Sequence, residues 1–161
     1  MAQLPALTLE AAGSGRAVTL NAVGCPLVLI CHGQETAPAA FEVNNAVRAQ
    51  FADAGQVCIA SVIDLRQFPS MFHGMVRPEL EKAYRKAAEK LPEGADPAEF
   101  VVLLPDWKGE ATDALEAGGS TKQAVVVVAD AAGGIVGSYH GKEPGRGALD
   151  LMAELAGSAD K

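Results

Sequence analysis

Two kinds of apolar segment stand out along this chain: unbroken runs, and short runs in which apolar and polar residues alternate. Pro26 to Cys31 is an unbroken run bounded by Gly24-Cys25-Pro26 and His32-Gly33, and Val57 to Asp64, interrupted only by Ser61 before its final acid, reads as a second buried strand. A strand that is apolar at every position suits a parallel sheet covered by helices on both faces. Between them, Pro38 stands where a helix can begin, since the first turn does not use its missing N–H. Val43, Val47 and Phe51 then recur at intervals of four, and the helix is expected to end near Gly55. The three elements predict a βαβ unit with a right-handed crossover, its parallel strands ending on one edge.

Ahead of this unit, Leu7 to Leu9 and Ala17 to Leu20 alternate around Ala12-Gly13-Ser14-Gly15, the pattern of a β-hairpin. After it, Leu65 to Val76 reads as a loop and Pro78 to Leu91 as a helix with Leu80, Tyr84, Ala87 and Leu91 along one stripe. Phe100 to Leu104 reads as a third buried strand closed by Pro105-Asp106. A short helix follows over Glu110 to Ala117, stopped by Gly118-Gly119. Ala124 to Ala129 and Ile135 to His140 flank the turn Asp130 to Gly134 and predict a second hairpin, and Gly147 to Ala156 predicts a last helix with Ala148, Leu151, Met152 and Leu155 inward. With no internal repeat, long linker or low-complexity block, residues 1–161 read as one α/β domain.

Composition narrows the function. A net charge of −7 argues against nucleic acid or an anionic membrane as partner, because both are bound through clustered Lys and Arg. No apolar run approaches the ~20 residues of a bilayer span, and the first residues show no basic segment followed by an apolar one, so a cytoplasmic location is expected. The three cysteines, Cys25, Cys31 and Cys58, show neither C-x-x-C nor zinc-finger spacing, which suits free thiols in a reducing compartment.

Hairpin, β, α, β, helix, β, helix, β-hairpin, helix is an order that resembles the thioredoxin superfamily, in particular the branch of peroxiredoxins and membrane-anchored thioredoxin-like reductases. Leu4 to Leu9 with Val18-Thr19-Leu20 resembles its opening hairpin, Pro26 to Thr36 its first core strand and the loop to the active-site helix, and Val125 to Val136 its late hairpin. The resemblance implies a thioredoxin-like fold: a central mixed sheet flanked by helices, with an N-terminal β-hairpin. It also implies where the chain departs. Thr36 matches the threonine three residues before the peroxidatic cysteine and Glu42 matches the acidic residue after it, but Ala39 stands in the cysteine's place. The proline expected before the late hairpin is replaced by Ser120-Thr121-Lys122-Gln123-Ala124, with no arginine to stabilise a thiolate.

Ligands of open α/β sheets favour the edge where parallel strands end. There the pattern places a rim of Cys31, His32, Thr36, Asp64, His73 and His140, with the helix N-terminus after Pro38 favouring an anion. The leading expectation is a domain without dithiol or peroxidatic chemistry that binds a small molecule or a protein partner at this rim. An atypical thiol-dependent antioxidant or reductase using Cys31, with His32 as neighbouring base, is the alternative in which the chain is an enzyme. A third reading takes His32, His73 and His140 as ligands of a transition metal or haem, with Met71 and Met75 beside His73. Assembly into a homodimer is compatible with the resemblance.

Overall fold

The computed structural model describes residues 2–159. Its elements, in chain order, are β1 (Thr8–Glu10), β2 (Ala17–Thr19), β3 (Leu27–His32), α1 (Pro38–Gln50), β4 (Cys58–Asp64), α2 (His73–Glu89), α3 (Pro97–Phe100), β5 (Val102–Asp106), α4 (Glu110–Ala114), β6 (Val125–Ala129), β7 (Ile135–His140) and α5 (Pro144–Ala159). Five strands form one sheet in the order β5-β4-β3-β6-β7, and β1 and β2 form a separate antiparallel hairpin. β3, β4 and β5 are parallel; β6 runs antiparallel to β3, and β7 antiparallel to β6. This is the mixed sheet with N-terminal hairpin that the resemblance implies.

Every residue of β3, β4 and β6 is buried, which is why their sequences show no apolar-polar alternation, the polar residues being His32 and Asp64 at strand ends and Ser61. Side chains leave successive strand positions toward opposite faces. Leu27, Leu29 and Cys31 therefore join Val62, Leu104, Val125 and Val127 beneath the hairpin and α4, together with Val18, Leu20 and Ala111. Val28 and Ile30 join Ile59, Val126 and Val128 beneath α1 and α5, where Val43, Val47, Ala148 and Met152 fill the layer.

Several boundaries differ from the sequence reading. α2 begins at His73, so Pro78 lies inside it; the bond lost is to the carbonyl of Gly74, which is exposed and open to water. α5 begins at Pro144 and takes in Gly145 and Gly147, which are positions of close approach: a Cβ on Gly147 would lie 2.3 Å from the Tyr139 ring. β5 continues through Pro105, which pairs with Ile63. It is an edge strand, so a residue without an N–H is tolerated. Phe100, the expected start of that strand, instead ends α3, which Asp96 caps, accepting from Ala98 N–H at 3.0 Å. α2 carries no fully buried residue, its stripe of Leu80, Tyr84, Ala87 and Leu91 being only half-buried. Gly13 has φ +82°, and a Cβ there would lie 2.3 Å from the Tyr84 ring, so glycine lets α2 close on the hairpin. Among the described residues no helix is long and apolar enough to cross a membrane.

Candidate functional site

β3, β4, β5 and β7 all end on one edge of the sheet, at His32, Asp64, Asp106 and His140. Strand alternation then divides them. Asp64 and Asp106 pair in register and fall on the same face as Cys31, with Val62 and Leu104 beneath them. His32 follows Cys31 and turns to the opposite face, toward α1 and α5. The two residues of the proposed thiol and base pair therefore do not meet. Cys31 is wholly buried; its thiol is pushed up to about 12, first by burial and then by the negative charges of Asp106 and Asp64.

His32 is buried with its Nδ1 2.8 Å from the Gly33 carbonyl oxygen, so Nδ1 carries the proton, and Nε2 has no partner. Burial lowers its pKa, with the Gly33 bond acting against that shift. The imidazole is thus held neutral near pH 7.

The loop into α1 is clamped to the segment before β6. Gly33 N–H donates to Thr36 Oγ1 at 2.8 Å, and Thr36 Oγ1 donates to the Ser120 carbonyl at 2.7 Å. The approach is close enough that a Cβ on Gly33 would sit 2.7 Å from Thr121 Cγ2. Outside this clamp lies an open cleft of about 270 Å³, lined by Glu35, Thr36, Pro38, Ala39, Gln123, Ala124, Gly141, Lys142 and Pro144. Two helices start here, yet neither offers a ready anion site. In α1, Ala39 N–H bonds the Thr36 carbonyl at 3.1 Å and Ala40 N–H the Ala37 carbonyl at 3.0 Å. In α5, Gly145 N–H bonds Glu42 Oε2 at 2.8 Å. Glu42, which matches an acidic active-site residue by position, instead caps the neighbouring helix.

The acids at the edge are also committed. Arg66 Nε donates to Asp64 Oδ1 at 3.1 Å, and its guanidinium lies 2.9 Å from Asp113 Oδ1. Asp106 accepts from Thr112 N–H and from the Thr112 hydroxyl, each at 2.7 Å, and from Ala111 N–H at 3.3 Å, tying β5 to α4. The sequence reading missed Arg66, Asp106 and Thr112. Asp106 carried a readable signal, an acid at a strand end followed by a helix start.

The three histidines do not assemble. His73 packs on Trp107 with ring centroids 4.1 Å apart, and its Nε2 lies 3.1 Å from the Phe68 carbonyl oxygen. Trp107 follows β5, whereas His140 ends β7 and is exposed. Those strands are the two edges of the sheet, four inter-strand steps or about 19 Å apart. Among the described residues no group of three His, Cys, Asp or Glu side chains is placed to hold a metal ion. Met71 and Met75 are 79% and 70% exposed, spaced four apart on the side of the turn and helix away from His73. Among the described residues the expected metal or haem ligand set of His32, His73 and His140 is therefore not formed.

A second groove of about 420 Å³ lies between the hairpin, α2 and Trp107. Its aromatic surface is already used, by His73 and by the Arg77 guanidinium 4.7 Å from the indole ring. The cleft beside Thr36 and Ala39 is therefore the better candidate site.

No known family's sequence profile matches this chain, and a search of curated protein sequences finds no match. Solved structures do resemble it. Peroxiredoxin Q of Xanthomonas campestris superposes with a TM-score of 0.57 at 18% identity, covering 97% of both chains. A thiol-disulfide oxidoreductase of Bacteroides fragilis gives 0.59 at 13% identity, covering 94% of this chain and 99% of that one. The exposed lipoprotein thioredoxin of Streptococcus pneumoniae gives 0.56 at 15% identity, covering 92% and 98%. At these identities the likeness establishes architecture alone: the chain has the thioredoxin-like fold.

Proposed function

We propose that this chain is a thioredoxin-like binding domain that takes a small molecule or a segment of a protein partner in the cleft beside Thr36 and Ala39, without thiol chemistry at that cleft. One observation carries the reading. The first turn of α1 presents only Pro38 and the methyl group of Ala39 to the cleft, while Cys31 is a core residue whose thiol is pushed up to about 12. Attack on a disulfide or peroxide needs an accessible thiolate. A thiol of that pKa is ionised at neutral pH to only about one part in 10⁵. The apolar lining of Pro38, Ala39, Ala124 and Pro144, with Thr36 and Gln123 as neutral polar groups and one charge of each sign in Glu35 and Lys142, suits a small molecule or an extended peptide with both apolar and polar groups.

The alternative, a thiol-dependent oxidoreductase acting through Cys31, draws on the names of the structural neighbours and is opposed by the burial of that cysteine. Insulin reduction and hydroperoxide turnover, measured for wild type and Cys31→Ser, decide between them. The binding reading expects no turnover that depends on Cys31. It also expects that compounds or peptides perturbing the amides of Thr36, Ala39, Gln123 and Lys142 in NMR spectra are excluded by Ala39→Trp. Turnover lost on Cys31→Ser would overturn it.

A further inference from the structure

At the opposite end of the sheet from this cleft, Cys25 and Cys58 come together. Cys58 opens β4 and is the register partner of Leu27, and its N–H bonds the Pro26 carbonyl at 2.9 Å. Cys25 is two residues before Leu27 and so points to the same face; both sulfurs pack in the cluster beneath the hairpin. Cys58 is buried and Cys25 half-buried. Cys25 precedes the first hydrogen-bonded residue of β3, in a bend after Gly24, which has φ +86° and open space around it. The Pro26 carbonyl beside Cys25 is held by Cys58 N–H, so closing a bond between these diagonal neighbours requires a local shift of the bend at Gly24-Cys25.

Two arginines act on the pair through their charge. The charges of Arg16 and Arg48 both act on Cys58, and Arg48 acts on Cys25 as well. Arg48 reaches this place across the Phe100 ring, 5.2 Å from its centroid, and bonds the Phe51 and Asp53 carbonyls through Nη1. Its Nη2 is buried with no partner. A buried, unpaired guanidinium nitrogen on a residue whose charge acts on both sulfurs favours the anion that appears when a thiol ionises.

We propose that Cys25 and Cys58 form a dithiol that exchanges with low-molecular-weight disulfides, a redox site at the opposite end of the sheet from the cleft and independent of the reading given to that cleft. The Cys25 thiolate, the reachable one, attacks a disulfide RSSR, forming Cys25–S–SR and releasing RS⁻. Cys58 then loses its proton and its sulfur attacks the Cys25 sulfur, forming the Cys25–Cys58 disulfide and releasing the second RS⁻. In sum, two protein thiols are oxidised and RSSR is reduced to two RSH. The order follows from the electrostatics: burial, then the Cys25 charge, hold the Cys58 thiol up at about 11, while Arg16 and Arg48 pull it down. Turning Cys25 into an uncharged mixed disulfide removes the repulsion and leaves the two arginines.

The test is oxidation of the full native chain with oxidised glutathione at neutral pH, followed by alkylation and peptide mass mapping. The expected product carries a Cys25–Cys58 bond with Cys31 still reduced. Cys58→Ala should stop at a Cys25–glutathione adduct, and Cys25→Ser should take up no glutathione. Accumulation of the Cys25 adduct in wild type, oxidation at Cys31, or no reaction at Cys25 would each overturn the proposal. The wild-type map alone is decisive should either variant fail to fold.

Discussion

Replacing Thr36 by valine keeps the shape of the side chain and deletes one oxygen that carries two hydrogen bonds. That oxygen accepts from Gly33 N–H at 2.8 Å and donates to the Ser120 carbonyl at 2.7 Å. Gly33 and Ser120 are both buried. Each orphaned group costs about 1–3 kcal/mol. Thr36 itself is only half-buried, so water relieves part of this, and the structure supports a loss of about 2–3 kcal/mol. For a chain of this size that corresponds to a fall of about 5–10 °C in Tm. Thermal and urea unfolding measure the loss, and hydrogen exchange at the Gly33 amide locates it, since that N–H should become unprotected. Thr36→Ser keeps the oxygen and should cost less than about 1 kcal/mol. A Thr36→Val protein within about 0.5 kcal/mol of wild type, or a Thr36→Ser protein equally destabilised, would refute the clamp.

Burial lowers the His32 pKa below its ordinary 6.5, so the unfolded chain binds the proton first as pH falls. Stability should be full above about pH 6.5 and decline on acidification until the folded pKa is reached; urea midpoints across that range should fall less steeply in His32→Gln. Leu29, wholly buried in the central strand, should cost about 2–5 kcal/mol as Leu29→Ala, read from the urea midpoint. Glu42→Ala removes the acceptor of Gly145 N–H and should cost about 1 kcal/mol, with faster amide exchange in the first turn of α5, whereas Glu42→Gln should retain most of the stability.

The architecture was legible in the sequence because it is written in local periodicity. Leu27 to His32 and Cys58 to Asp64 are buried at every position, and apart from Ser61 their polar residues, His32 and Asp64, stand at the strand ends, since both faces of those strands are covered; Val43 and Val47 mark the buried side of α1 at helical spacing. Glycine and proline misled where tertiary packing uses them: Gly147 accommodates the Tyr139 ring inside α5, and Pro78 lies within α2, next to solvent.

The site was a different matter. Its candidate residues could be assigned to one edge of the sheet, but not to one another. Consecutive residues in a strand face opposite ways, which separated Cys31 from His32. Strand order then decided that β5 and β7 are opposite edges, which kept His73 and His140 apart. Thr36 meets Ser120 across 84 positions and Glu42 meets Gly145 across 103, partnerships that leave no trace in either local segment. A side chain's own sequence neighbourhood determines whether it sits in a strand or a helix and on which side of it. What it touches there depends on which distant segment the fold lays beside it, and hydrophobic burial selects that segment through the whole sheet at once.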